Sequence, residues 1–263
     1  MKKLILFVFL AFCSISFAQD EIKYKTAFEN VEQNCDSIHF LKYCYLNRFQ
    51  LVVNRKFTEE IILNKKLAKN INDNIYLEIE VDTTGKFVIH KISTKSKDFE
   101  KSLKKLVELL PKIEPFKNEK NNKIKLEAIL EFNLKEVDFD HYILPDNKKD
   151  LTNMETPRFQ ICKSIIDEKS GKECFMSQMN NHIRQNFNYP IKAINRNISG
   201  RAMGNFVINK EGLTTNFIIY GANPILLKET LRILKLLPTF IPGKLNGKDI
   251  SVSYAQPIVF KLN

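Results

Sequence analysis

Apolar residues recur along the chain with two different periods. Ile75, Leu77, Ile79 and Val81 alternate with Tyr76, Glu78 and Glu80, the period of a half-buried strand. Phe99, Leu103, Leu106, Val107 and Leu110 fall at helical spacing on one face, as do Phe175, Met179, Ile183 and Phe187. Alternation returns in two long segments, Ile124, Leu126, Ala128, Leu130, Phe132, Leu134 and Ile250, Val252, Tyr254, Ile258, Phe260, Leu262, with Gln256 interrupting the second. Turn chemistry separates these runs. Asp82-Thr83-Thr84-Gly85 and Asn209-Lys210-Glu211-Gly212 predict hairpin turns. Ser96 and Asn223-Pro224 predict helix starts, and Pro111 and Pro238 predict helix ends.

The order of elements occurs twice. Cys44 to Phe57 and Cys174 to Phe187 are both 13 residues, each opening a segment expected to be helical. Gly85 to Pro111 and Gly212 to Pro238 are both 26 residues, and Pro115 and Pro242 follow each proline at the same distance of four. Each half thus reads as helix, hairpin, helix, strand, an α+β unit with two helices on an antiparallel three-stranded sheet. The expected division is 19–138, a linker at 139–157 and 158–263, with residues 1–18 set apart.

That first segment has the layout of a cleavable secretory signal. Lys2 and Lys3 precede an apolar run from Leu4, and Ser16-Phe17-Ala18 supplies small residues at the −3 and −1 positions of a cut before Gln19. An uncleaved inner-membrane anchor, or a lipoprotein modified at Cys13, is the lesser alternative. Export places the mature chain in an oxidising compartment and allows disulfides. Spacing alone leaves three pairings open for Cys35, Cys44, Cys162 and Cys174. The repeat implies the two local ones, Cys35 with Cys44 and Cys162 with Cys174.

The second half resembles the C-terminal domain of TonB-type energy transducers. The resemblance rests on Tyr189-Pro190, Gly200-Arg201, the Gly212 turn, Pro242-Gly243-Lys244, Asn246-Gly247-Lys248 and Pro257-Ile258-Val259-Phe260-Lys261-Leu262, in that order. The first half is similar to a diverged copy, with Pro115-Phe116-Lys117 in place of Pro-Gly-Lys and Ile129 in place of Pro257. The resemblance implies an exported, periplasmic module that binds an extended, TonB-box-like peptide of outer-membrane transporters by strand addition, linked to TonB-dependent transport. The docking edge it implies comprises Ser251, Val252, Ser253, Tyr254, Ala255, Val259 and Lys261, with Tyr189, Pro190 and Arg201 near the interface. A homodimer through sheet edges is a further expectation. The alternative is a structural or assembly protein of the cell envelope, its two repeats packed together and no peptide ligand. A transducer carries a membrane anchor and a long Pro-rich spacer, whereas here a cleavable segment and a short stretch precede Cys35.

Composition changes this picture in one respect. The net charge is +11. Residues 151–263 contribute +8 of it, from 15 basic and 7 acidic residues. The basicity belongs to the second half, and Arg184, Arg196, Arg201 and Lys244 are its candidates for meeting an acidic partner or an anionic surface. Nucleic acid is not an expected partner, because no recognition motif accompanies the charge. The four histidines are scattered and the carboxylates form no dyad, so the sequence predicts no catalytic residue, cofactor, metal or small-molecule substrate.

Overall fold

The computed structural model describes residues 38–63, 74–133, 153–165 and 167–262. The expected signal segment, Cys13, Cys35 and most of the expected linker lie outside them. The fold is mixed, with helices and antiparallel sheet. In chain order its elements are α1 (Ile38–Leu63), β1 (Asn74–Val81), β2 (Phe87–Ser93), α2 (Lys97–Leu109), β3 (Leu126–Asn133), β4 (Met154–Glu155), a 3-10 turn (Gln160–Cys162), α3 (Glu168–Asn186), α4 (Ile191–Ile194), β5 (Gly200–Ile208), β6 (Thr214–Tyr220), α5 (Pro224–Lys235), β7 (Gly243–Leu245), β8 (Lys248–Ile250) and β9 (Val252–Phe260). The helix, hairpin, helix, strand order is present in both halves. The chain divides into two compact units, Met1–Asn70 with Ile79–Leu126, and Ile71–Glu78 with Glu127–Asn263.

In the first unit, the apolar face of α2 is buried as its periodicity predicts, through Phe99, Leu103, Leu106 and Val107. Ser96 caps the helix, its hydroxyl accepting from the Phe99 amide at 3.2 Å. The α1 side chains Leu46, Phe49 and Val53 are fully buried, and Phe49 stacks on Phe87 at 5.0 Å. Glu80, on the face of β1 opposite Ile79 and Val81, is buried but paired, with His90 at 3.3 Å and Lys125 at 2.9 Å.

In the second unit the sheet runs β1-β3-β6-β5-β9, β1 entering through Asn74–Glu78, beside a small sheet β4-β7-β8. β3, the last strand of the first half, pairs with β6 from Ala128↔Tyr220 to Glu131↔Phe217. The sheet of the second half is therefore extended by a strand from the first. β5 pairs with β9 without interruption from Gly200↔Phe260 to Ile208↔Val252. Helix α5 starts where expected, with the Asn223 side chain accepting from the Ile225 amide at 3.1 Å and Pro224 in the first turn. Leu226, Leu227, Leu231, Ile233 and Leu234 of α5 join Phe175, Met179, Ala202, Phe206, Ile258 and Phe260 in one core.

Three local expectations are refined. Helix α3 begins at Glu168, six residues before Cys174, because Asp167 accepts from the Ser170 amide at 2.7 Å and caps it there. Ile250 is not part of the last strand but of β8, which forms a hairpin with β7 around Asn246 and Gly247, both at positive φ. Met154 and Glu155, at the end of the expected linker, pair with β7.

The two hairpin turns have the same internal geometry. Asp82 Oδ1 accepts from the amides of Thr84 and Lys86, and Asn209 Oδ1 from those of Glu211 and Leu213. Gly85 and Gly212 sit at φ +83° and +77°. Their carbonyls accept from Ile113 N at 2.9 Å and from Phe240 N at 2.8 Å, so the segment after each second helix is tied back to the turn. A Cβ on Gly212 would lie 2.0 Å from the Phe240 carbonyl oxygen, whereas one on Gly247, also at φ +77°, would meet nothing within 4 Å. Gly212→Ala is thus expected to destabilise by about 2–4 kcal/mol, left-handed strain plus a backbone collision, and Gly247→Ala by only about 1 kcal/mol. Urea unfolding midpoints of the two variants check this.

Thr84 and then Lys86, by hydrogen bonding to its ionised form, hold the Asp82 carboxyl below the usual carboxylate range. A lowered folded-state value contributes stability that is present above the unfolded carboxylate range and lost as pH falls through the folded value. Asn209 supplies the same acceptor without a titrating group. Asp82→Asn is therefore expected to keep the turn and to remove part of the acid-induced loss of stability. Thermal midpoints of both proteins at about pH 7 and about pH 3 measure it.

Candidate functional site

β9 stands at the end of its sheet, with β5 on one side and no strand on the other among the described residues. Its burial alternates. Gln256, Ile258 and Phe260 are buried, while Ser253, Ala255 and Val259 are exposed. The unpaired backbone groups of such an edge are an open template for another strand. Pro257 has no N–H, and within a sheet a proline suits an edge strand where that donor faces away from the paired neighbour. Beside it, the Gln256 side-chain amide donates to the Pro257 carbonyl at 3.1 Å.

The residues expected at this edge fall into separate groups. Val252, Ser253, Tyr254, Ala255 and Val259 lie in β9, while Ser251 precedes it and Lys261 follows it. The Tyr254 ring is not an edge feature. It stacks on Phe175 at 4.7 Å and lies 6.1 Å from Phe206, and its hydroxyl pKa is raised, first by burial and then by the Glu168 charge. Arg201 is exposed and sits in register with Val259, on the same face of the sheet. Tyr189 lies on the opposite face. Its ring meets Phe260 edge-on at 5.7 Å, and its hydroxyl donates to the Ile198 carbonyl at 2.8 Å. Pro190 occupies the N-cap position of α4. The structure thus brings Tyr189 and Pro190 to the C-terminal end of β9 and places Arg201 across the sheet from them.

Apolar surface surrounds that end of the strand. Phe187 packs on Phe260 at 5.1 Å yet remains 37% exposed, and Val259 is 61% exposed. The loop carrying Phe187 and Tyr189 is held by Glu229, which helical periodicity does not single out. Buried on α5, Glu229 accepts from the Asn188 amide at 3.0 Å and pairs with Arg232 at 2.6 Å. Arg232 in turn donates to the Asn186 carbonyl, and hydrogen bonding to Glu229 raises its pKa.

At the other end, a bridge joins Cys162 and Cys174 with a Cα separation of 6.1 Å. Cys44 is also disulfide-bonded. Arg158, paired with Glu168 at 3.4 Å, exchanges backbone hydrogen bonds with Ile241 and so fixes the chain ahead of the bridge. Of the basic candidates, Arg184, Arg196 and Arg201 are exposed, and Lys244 lies 3.9 Å from Asp249. Among the described residues no helix is long and apolar enough to cross a membrane.

The model of one protein family, the Gram-negative bacterial TonB protein C-terminal, matches residues 185–262. Over those residues the chain is similar to the TonB C-terminal family. The match begins at the end of α3 and contains the Tyr189 loop, β5, β6, α5 and β9. The solution structure of the Helicobacter pylori TonB C-terminal domain is similar at 21% identity, over 40% of this chain and 91% of that one, with a TM-score of 0.28, too low to compare details. No curated protein matches the chain.

Within residues 185–262, Glu229→Ala removes the acceptor of the Asn188 amide and the carboxylate partner of Arg232, which keeps its bond to the Asn186 carbonyl. The expected loss is about 1–3 kcal/mol. Faster hydrogen exchange at Asn188, with a lowered urea midpoint, would report it, and Glu229→Gln should lie between.

Proposed function

We propose that residues 185–262 form a TonB C-terminal domain that receives an extended peptide as an added strand along β9. The observation that supports this reading is the position of β9, paired over its whole length with β5 and open on its other side among the described residues. Backbone hydrogen bonds supply affinity in such an addition, and side-chain contacts supply selectivity. Phe187 and Val259 offer apolar contacts at one end of the strand, and Arg201 offers a charge on the sheet face. The peptide is TonB-box-like and belongs to an outer-membrane transporter or another envelope protein. The chain works in the periplasm, delivered by the segment 1–18, and its first half is a diverged copy of the second. The shared turn geometry at Gly85 and Gly212 supports that duplication. The excess positive charge of residues 151–263 favours acidic peptides.

Titration of the protein with acidic TonB-box-like peptides tests the proposal. Saturable binding in the micromolar range is expected, weakening as salt rises. N-methylation of the peptide should weaken binding at alternate positions only, because successive amides of an added strand point to opposite sides. Absence of binding at peptide concentrations of about 1 mM would instead favour an envelope assembly role without a peptide ligand.

A further inference from the structure

The backbone of β5 shows which groups of β9 face outward. A Cβ on Gly221, just after β6, would stand 3.3 Å from the Arg201 carbonyl oxygen and 4.0 Å from the Met203 nitrogen. Arg201 and Met203 thus turn their backbone groups towards β6. These groups alternate sides from one residue to the next, so Ala202, Gly204 and Phe206 turn theirs towards β9. Their partners in register are Ile258, Gln256 and Tyr254. Ser253, Ala255, Pro257 and Val259 therefore direct their backbone groups to the side of β9 that is open among the described residues.

Pro257 breaks this row. Ser253, Ala255 and Val259 each present an N–H and a C=O, and all three residues are exposed. Pro257 presents a ring methylene in place of the N–H. Its carbonyl already accepts from the Gln256 side-chain amide at 3.1 Å. At that place an added strand meets no donor and an acceptor in use. An ordinary peptide residue facing Pro257 brings an N–H that has to share the occupied carbonyl, whereas proline brings none.

We propose that the peptide received by β9 carries a proline where it faces Pro257. This inference rests on the strand-addition reading and narrows its ligand to an extended peptide with proline at that one inward-facing position. A proline two residues to either side would face Ala255 or Val259 and deprive a free carbonyl of its donor. Facing Pro257 it deprives none, and it restricts the free peptide, so less freedom is lost on binding. The peptide carbonyl aimed at Pro257 meets the ring in a weak C–H···O contact.

The test is a calorimetric titration of the full chain with three synthetic peptides of equal length. The first is built of Val and Thr behind two N-terminal Asp residues, the second has Pro at its centre, and the third has Pro at the centre and again two residues further on. The single-proline peptide is expected to bind at least as tightly as the proline-free one, because a shift of register can seat one proline at Pro257. The double-proline peptide should bind about tenfold more weakly, since its other proline faces Ala255 or Val259. Pro257→Ala combined with Gln256→Ala restores the donor and frees the carbonyl, and there the proline-free peptide should bind about tenfold more tightly than the single-proline one. Should that variant fail to fold, the three peptides on the wild-type chain decide by themselves. If none of them binds, the strand-addition reading fails and this inference with it. If the proline-free peptide binds and the single-proline peptide binds more weakly, or if the double-proline peptide binds as tightly as the single, this inference alone is overturned.

Discussion

Backbone N–H and C=O groups that leave water must find partners, and this requirement organises the second unit around the pairing of β5 with β9. Nine consecutive residues of each strand are in register, without a bulge. Because the pleat has a period of two, that one register places Gln256, Ile258 and Phe260 together on the buried side and leaves Ser253, Ala255 and Val259 exposed. A slip of one residue would expose Phe260 and bury Lys261. The aromatic contacts of Phe187 and Tyr189 with Phe260, and of Phe175 and Phe206 with Tyr254, all presuppose it. Among the described residues the other side of β9 stays open, while β5 has β6 as its second neighbour.

The turns impose a second constraint of the same kind. At Gly85 and at Gly212 a carboxylate or amide oxygen collects two backbone donors, and the glycine carbonyl collects a third from the segment behind the following helix. A side chain at either glycine would collide with that segment, so glycine is required by proximity as well as by φ. Asp in one turn and Asn in the other perform the same bonding, and only the former carries a pH dependence.

Much of this was legible in the residues. The alternation in β1, the helical face of α2, the caps at Ser96 and Asn223 and both glycine turns follow from local chemistry, in which each signal lies within a few residues of its effect. The TonB C-terminal motifs of the second half were legible for the same reason, being ordered short signatures. Tyr254 and Glu229 were not. Alternation assigns Tyr254 to a strand face but cannot say that Phe175 and Phe206 cover it, and nothing near Glu229 in sequence announces that it will hold Asn188, 41 residues away.

By itself, then, the sequence determined the helix, hairpin, helix, strand order, the caps at Ser96 and Asn223, the two glycine turns, the repeated spacing and the family resemblance of residues 185–262. These depend on local propensity and on periodicity. Tertiary structure alone decided that β3 lies against β6, that β9 is left at the edge, and that Arg201 and Tyr189 stand on opposite sheet faces. Strand partners are chosen by long-range complementarity of register and burial. The same alternating segment fits an edge or an interior position until its neighbours are in place.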